Sequence, residues 1–210
     1  MQKNEVQKVE KIVLPLITFA IILGVWQLVA STGLYNSYLF PSPVLVARGI
    51  REQVITGNLW KHITESLFRF FLGYIGAAAT SIPVGLVLGW HRKLWTALDP
   101  FVQVLRPISP IAWFPLVSLW FGIGNLPAIV IIFIAAFYPI LLSTVAAVQN
   151  VDPIYLKVAR NFGTPERDIL RKVVFPAAFP YIAMGLHLAI GSAWVFLVAG
   201  EMLGVRSGLG

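Results

Sequence analysis

The sequence predicts an all-α integral membrane protein, and three observations carry that expectation. Apolar residues make up 58% of the 210 and charged residues only 12%, whereas a soluble domain carries about a quarter charged residues. Apolar stretches recur along the chain without the alternation that marks barrel strands, and backbone groups inside a bilayer must pair within their own segment, which leaves helices. The basic residues are also distributed unevenly. Lys3, Lys8 and Lys11 precede the first apolar stretch, Arg92, Lys93 and Arg106 follow the second, and Lys157, Arg160, Arg167, Arg171 and Lys172 follow the fourth. With a cytosolic N-terminus, eleven of the sixteen basic residues fall on the cytosolic side. That is the positive-inside bias, and it explains the net charge of +7 without a nucleic-acid partner.

Five spans are expected, over Ile12–Ala30, Leu67–Gly89, Pro107–Phe121, Leu126–Val148 and Phe175–Leu203. The first is long enough at 1.5 Å per residue to cross a core of about 30 Å, so it reads as a retained span. Signal-peptide cleavage near Ala30-Ser31 is the alternative. Between spans one and two, Pro41-Ser42-Pro43 punctuates a longer outside segment. Val44, Leu45, Ala47, Ile50 and Val54 then recur at helical spacing, with Arg48, Arg51 and Glu52 off the stripe, as in an interfacial amphipathic helix. A plain connecting helix is the preferred role. Gly73-x-x-Gly76 and Gly85-x-x-x-Gly89 supply small residues of the kind that let membrane helices approach closely. The third span is short and carries Pro107, Pro110 and Pro115. Together with Pro139 these prolines mark expected breaks or bends. The whole of residues 1–210 reads as one transmembrane domain.

The polar island Asp152–Lys172 stands between two apolar stretches, a placement suited to docking a soluble partner. Phe162 offers an apolar anchor beside Gly163, which permits a sharp turn that a β-carbon resists. Thr164 is expected to cap the next helix, with Pro165 at its first position and Glu166 in its first turn. Pro165–Lys172 therefore reads as a short, separate helix.

Several chemistries are excluded. The chain has no cysteine, so no disulfide, thiolate metal site or cysteine nucleophile is available. No G-x4-G-K-[ST] loop, H-E-x-x-H or G-x-S-x-G occurs; Gly122-x-Gly124 reads as a turn between helices. His62 and Glu65 resemble a metal pair only loosely and read as surface polarity. Within spans, ionisable groups point to function by default. Glu201, near the outer end of span five, reads as structural or gating, because an anion path does not favour a carboxylate for binding. Arg69 is expected to snorkel to the interface. His187, with Ser192 nearby, reads as an interhelical hydrogen-bonding group with a pathway role as the alternative. Trp26, Trp90 and Trp95 read as interfacial belt residues, which leaves Trp113, Pro115, Pro139, His187, Ser192 and Glu201 as candidate pathway or gate residues.

The island has a further property. Lys157-Val158-Ala159, three residues, Gly163, nine residues and Val173-x-Phe175-Pro176 resembles the EAA loop of ABC importer permeases, E-A-A-x3-G-x9-I-x-L-P. Ala159, Gly163 and Pro176 match, Val158, Val173 and Phe175 are apolar replacements, and Lys157 stands where the pattern has Glu. Leu39-Phe-Pro-Ser-Pro43, Arg106-Pro-Ile-Ser-Pro-Ile-Ala-Trp-Phe-Pro-Leu116, Leu119-Trp-Phe-Gly-Ile-Gly124, Phe137-Tyr-Pro139, Pro176-Ala-Ala-Phe-Pro180 and Ala199-Gly-Glu-Met-Leu203 look like the nitrate, sulfonate, taurine and bicarbonate branch, in the family's order.

This resemblance implies a type I ABC importer-like helical bundle with a cytosolic coupling helix in the inner (plasma) membrane. About five spans are present where the family usually has six, so a further C-terminal span is expected to be lacking. The implied coupling residues are Lys157, Val158, Ala159, Arg160, Phe162, Gly163, Thr164, Pro165, Glu166 and Pro176. The implied partners are two P-loop ATPase subunits, a second permease copy (identical or a close homologue), an external substrate-binding protein and the lipid bilayer. No cofactor is expected on this chain, ATP and Mg belonging to the ATPase. The implied role is non-catalytic passage of nitrate, bicarbonate, taurine, a sulfonate or a neutral vitamin precursor. A non-transporting membrane scaffold or fragment is the alternative, and an integral-membrane enzyme a more distant one, since no polar cluster converges at a span end.

Overall fold

The computed structural model describes residues 2–33, 36, 38–205 and 207–210, with side chains from residue 13 onward and at Lys11; Lys3 and Lys8 of the charge argument lie outside the described side chains. Among the described residues the structure is helical throughout: α1 Gln2–Ser31, α2 Pro43–Ile55, α3 Asn58–Trp90, α4 Arg92–Leu105, a 3₁₀ turn Pro110–Trp113, α5 Phe114–Phe121, α6 Asn125–Gln149, α7 Pro153–Asn161, α8 Glu166–Ile169 and α9 Phe175–Gly204. Four helical runs are long and apolar enough to cross a membrane, and the bent pair α4 with Pro110–Phe121 makes up to five.

The chain divides into two compact units, Met1–Trp60 and Lys61–Gly210. In the first, Ser42 caps α2 by accepting a hydrogen bond from the Leu45 N–H at 3.3 Å, with Pro43 in the first turn. That is a standard proline-led helix start. The Trp26 indole N–H donates to the Pro41 carbonyl at 3.1 Å, so this tryptophan anchors the turn that leads into α2.

The second unit is organised around α6. Its 25 residues carry no charge, and Ala128, Ile131, Ile132, Ala136 and Ile140 are fully enclosed. Lipid is as apolar as these side chains, so close packing rather than water exclusion must hold α6. On α3, small residues recur every fourth position, at Gly73, Ala77, Ser81, Gly85 and Gly89, and all are buried. A β-carbon on Gly85 would stand 2.7 Å from Thr144 Cβ, and one on Gly89 2.7 Å from Val148 Cβ. Gly76 is different: its nearest neighbour, Phe133, lies at an ordinary 3.6 Å. On the α9 side, Gly185 faces Ser143. The Tyr74 hydroxyl donates to the Leu186 carbonyl at 2.8 Å, tying α3 to α9.

The expectation for Arg69 is overturned. It is 1% exposed, because every donor of its guanidinium finds an acceptor inside the unit. Nε donates to Asn125 Oδ1 at 2.8 Å, one terminal nitrogen to Glu201 Oε1 at 2.6 Å and the Ser207 carbonyl at 2.8 Å, and the other to Ser207 Oγ at 3.2 Å and Glu65 at 3.4 Å. Glu201 also accepts from Ser66 Oγ at 2.7 Å and from the N–H groups of Leu209 and Gly210 at 2.9 and 3.0 Å. This polar clasp joins α3, α6, α9 and the Ser207–Gly210 stretch. It explains why α3 starts at Asn58 rather than near Leu67: the polar turn around His62, Glu65 and Ser66 has partners and stays helical.

Two other expectations change. The third span is no single straight helix: Pro110–Phe121 is bent 83° from α4, and Pro107–Ser109 form the turn between them. The proline positions explain this only in part. Pro110 opens the 3₁₀ turn, but Pro115 lies in the first turn of α5, where a missing N–H costs nothing. Pro139 lies inside an α6 that continues unbroken to Gln149.

Gly85→Ala is expected to destabilise the detergent-solubilised protein by about 1–3 kcal/mol through overpacking, read as a lower thermal midpoint. Gly191→Ala, where a β-carbon meets nothing within 4 Å, should leave the midpoint unchanged or raise it. Arg69→Leu or Glu201→Leu alone should each cost about 3–5 kcal/mol by stranding a buried charge. The double variant should be less destabilised than the sum, and strict additivity would deny the pairing.

Candidate functional site

The island Asp152–Lys172 folds as a helix, a tight turn and a second helix at one end of the Lys61–Gly210 unit. Asp152 caps α7, its Oδ1 accepting from the Ile154 N–H at 2.8 Å, with Pro153 in the first turn. Leu156 and Ala159 pack inward against a cluster built from Val148, Val151, Ile169, Val174 and Trp90. On the opposite face Ile154, Tyr155, Val158 and Phe162 are exposed, Phe162 to 85%. These positions fall at helical spacing, so α7 presents an apolar ridge outward.

The ridge ends in a Schellman turn. Gly163 has φ 71°, its N–H donates to the Arg160 carbonyl at 2.9 Å, and the Thr164 N–H reaches back to Ala159 at 3.1 Å. Both orphan carbonyls of the last helical turn are thereby satisfied. Arg160 then crosses the turn in a two-pronged bond to Glu166, at 2.8 and 3.2 Å. Hydrogen bonding to Glu166 also raises the Arg160 pKa above its ordinary value. The pair is exposed, so its role is to fix the angle of the turn; solvent-exposed bridges stabilise little.

The expectation of a separate Pro165–Lys172 helix is corrected. Pro165, not Thr164, occupies the cap of α8, and no side chain bonds there. Thr164 is instead the last residue of the Schellman turn. α8 passes through a π-turn, Leu170–Val174, directly into α9, with the Phe175 N–H bonded to the Leu170 carbonyl. The wider turn sits just before Pro176, whose ring would crowd the carbonyl four residues back in a regular helix. The result is a helical run of 39 residues, Glu166–Gly204, that begins at the turn and ends at the clasp. Lys157 is exposed at the position where the motif carries an acid, and makes no ion pair among the described residues.

The remaining candidate residues do not converge on one point. Trp113 is half-buried at the end of the 3₁₀ turn, and Pro115 is exposed. The neighbouring Phe114 is buried, its ring against Gly204. Pro139 is half-buried in α6, and its carbonyl lies 3.6 Å from where a Gly185 β-carbon would be. Ser192 Oγ donates to the Ala135 carbonyl at 3.2 Å and to Ala189 at 3.0 Å, so it bridges α9 to α6. His187 is exposed on α9 and is bonded to nothing among the described residues, so the expected interhelical hydrogen bond is not formed within them. Glu201 lies in the clasp, one α6 length (about 37 Å) from the island. His62 Nδ1 accepts from the Gly208 N–H at 3.1 Å and Glu65 from Arg69, and no group of three metal-ligating side chains occurs among the described residues. Sequence reasoning missed Ser66, Asn125 and Ser207 as partners of Arg69 and Glu201. Asp152-Pro153, a cap followed by a first-turn proline, was a readable start signal for α7.

Comparison with known proteins agrees with this architecture. Residues 81–210 match the family described as binding-protein-dependent transport system inner membrane component. The chain is 32% identical over 91% of its length to the putative aliphatic sulfonates transport permease protein of Bacillus subtilis, covering 69% of that protein. It is 33% identical over 92% of its length to the taurine transport system permease protein of Escherichia coli, covering 72% of it. It is 34% identical over 90% to the nitrate import permease protein of Synechococcus elongatus, covering 71%. The chain belongs to the binding-protein-dependent transport inner-membrane component family, as an ABC importer permease of its nitrate, sulfonate and taurine branch.

Proposed function

We propose that this permease forms the translocation path for a small oxyanion, nitrate, bicarbonate, taurine or a sulfonate, delivered by an external binding protein. A separate P-loop ATPase supplies the energy, with ATP and Mg bound there, and two permease copies complete the path. The relatives' names, sulfonate, taurine and nitrate permeases, support the anionic class without choosing within it. Arg92 and Arg160 share one open cleft with Trp90 and Gln149, so basic residues from two segments gather at the α7 end. The positive-inside bias supports a cytosolic location for that end, and Lys11, just before the apolar run Val13–Ser31 of α1, supports a cytosolic N-terminus on the same rule.

The observation that carries the coupling role is the ridge Ile154, Tyr155, Val158 and Phe162, held out from the bundle by its own helix. An exposed apolar ridge marks a surface that a protein or the membrane covers, and its place on a capped helix-turn-helix within the polar island supports a soluble protein surface. The turn behind it is fixed by the Gly163 bonds and the Arg160–Glu166 bridge, and α8 continues into α9. A push on α7–α8 therefore moves α9 as one lever. An aromatic anchor at the centre of such a contact is the usual hot spot.

Phe162→Asp and Gly163→Pro are expected to cut ATP-driven uptake in proteoliposomes containing the ATPase and binding protein by at least about tenfold, as loss of a hot spot near 2 kcal/mol implies. Membrane insertion should be preserved and ATP hydrolysis should no longer track transport. Unchanged uptake in both variants would remove α7–α8 as the coupling element. Failure of the wild-type complex to accumulate any of the four anion types, with hydrolysis intact, would remove the oxyanion reading, and failure to accumulate any solute would favour the scaffold alternative.

A further inference from the structure

The three long helices of the Lys61–Gly210 unit carry very few ionisable groups away from their ends. On α3, Lys61, His62, Glu65 and Arg69 all lie in the first four turns, and α6 has no Asp, Glu, Lys, Arg or His. On α9 the members of that set are His187 and Glu201, and Glu201 is consumed in the clasp. His187 lies near the middle of α9. The buried seam of that helix runs through Ala178, Ile182, Gly185, Ala189, Ala193 and Leu197, and His187 points away from it. Pro180, Met184, Gly191 and Trp194 are exposed on the same side. No helix of this unit covers His187, and no described group bonds it.

An ionisable side chain at mid-membrane depth rarely faces lipid; it faces a partner or a water-filled route. A second observation favours the route. Toward the α7 end, the flank of α9 between that side and the buried seam borders an open groove of about 170 Å³ between α6 and α9, where Ser143, Asn150 and Tyr181 stand beside Leu188 and Met184, the last also exposed on the His187 side. That volume admits a small oxyanion with little water. Hydroxyl, amide and phenol groups line that groove in an otherwise apolar helix pair, and the His187 imidazole lies about a turn beyond Met184 on the adjoining side of α9.

We propose that His187 lines the aqueous route and is the side chain that meets the anion at its middle, with Tyr181, Ser143 and Asn150 continuing the route toward the α7 end. The inference rests on the oxyanion reading above. A neutral imidazole offers one N–H to an anion oxygen, and the protonated ring offers two with a positive charge. Either gives a contact that admits an anion and releases it, since conduction needs binding that is favourable but not tight.

Residues 1–210 hold no cysteine, so His187→Cys introduces the sole thiol among them when the ATPase and binding protein are also made cysteine-free. In the reconstituted complex, a charged methanethiosulfonate should modify it from water. Nitrate, taurine, bicarbonate or methanesulfonate, whichever the wild type imports, should slow modification about tenfold at ten times its dissociation constant, as site occupancy requires. His187→Leu should lower uptake of that anion, while His187→Gln, which keeps an N–H donor, should retain more of it. Absence of modification would place the position against lipid or another helix and overturn the inference. So would modification that no imported anion slows. If the wild type imports none of these anions, the oxyanion reading itself falls, and that result is separable because it is read without any variant.

Discussion

The arrangement depends on how closely α6 can approach its neighbours. A bilayer supplies no hydrophobic penalty for separating apolar helices, so contact must come from fit and from hydrogen bonds that lipid cannot replace. α3 meets this demand with a small residue every fourth position from Gly73 to Gly89, and α9 meets it at Gly185 and Gly200. The backbones then come near enough for Ser192 to reach the Ala135 carbonyl and Tyr74 to reach Leu186. With side chains of ordinary size in those notches, neither bond would form. The clasp at one end and the α7–α8 turn at the other would also lose their common axis.

Those two ends are built on opposite principles. The clasp is buried at its centre and paired: Arg69 and Glu201 are each 1% exposed at the side chain, and a charge there is tolerable because its partners are in place. The α7–α8 turn is wet, and its ion pair is exposed on both sides, so it is shaped by backbone geometry more than by electrostatics. The run Glu166–Gly204 joins the two without a break. The rigid polar network and the surface-accessible turn therefore lie at opposite ends of the same helical run.

Much of this was legible in the sequence. Composition and the spacing of apolar stretches give the helical membrane class and locate α1, α3, α6 and α9. Ser42-Pro43 and the stripe from Val44 to Val54 give α2, and Gly163 gives the turn. What was not legible depends on tertiary partners. Arg69 looks like a snorkelling residue until Glu201, 132 residues later in sequence, and Ser207 are brought beside it. α4 escaped because its amphipathic pattern follows directly on α3 with only His91 between them. The π-turn before Pro176 has no residue signature of its own: the proline argues for a break, and only the packed bundle shows that the helix continues. Thr164 is a good cap by composition, but it stands one residue too early: it closes the α7 turn, and Pro165 takes the cap of α8.

The central claim is that α7 and its turn seat on the energy-supplying subunit, and it can be tested at one side chain. A photo-crosslinking phenylalanine analogue at Phe162, in the complex purified in mild detergent, reports directly what covers that exposed ring. The account predicts a covalent adduct with a P-loop ATPase whose yield changes between nucleotide-free and ATP-bound states. An intact complex that yields no ATPase adduct from this position, or one that crosslinks only to lipid, would contradict it.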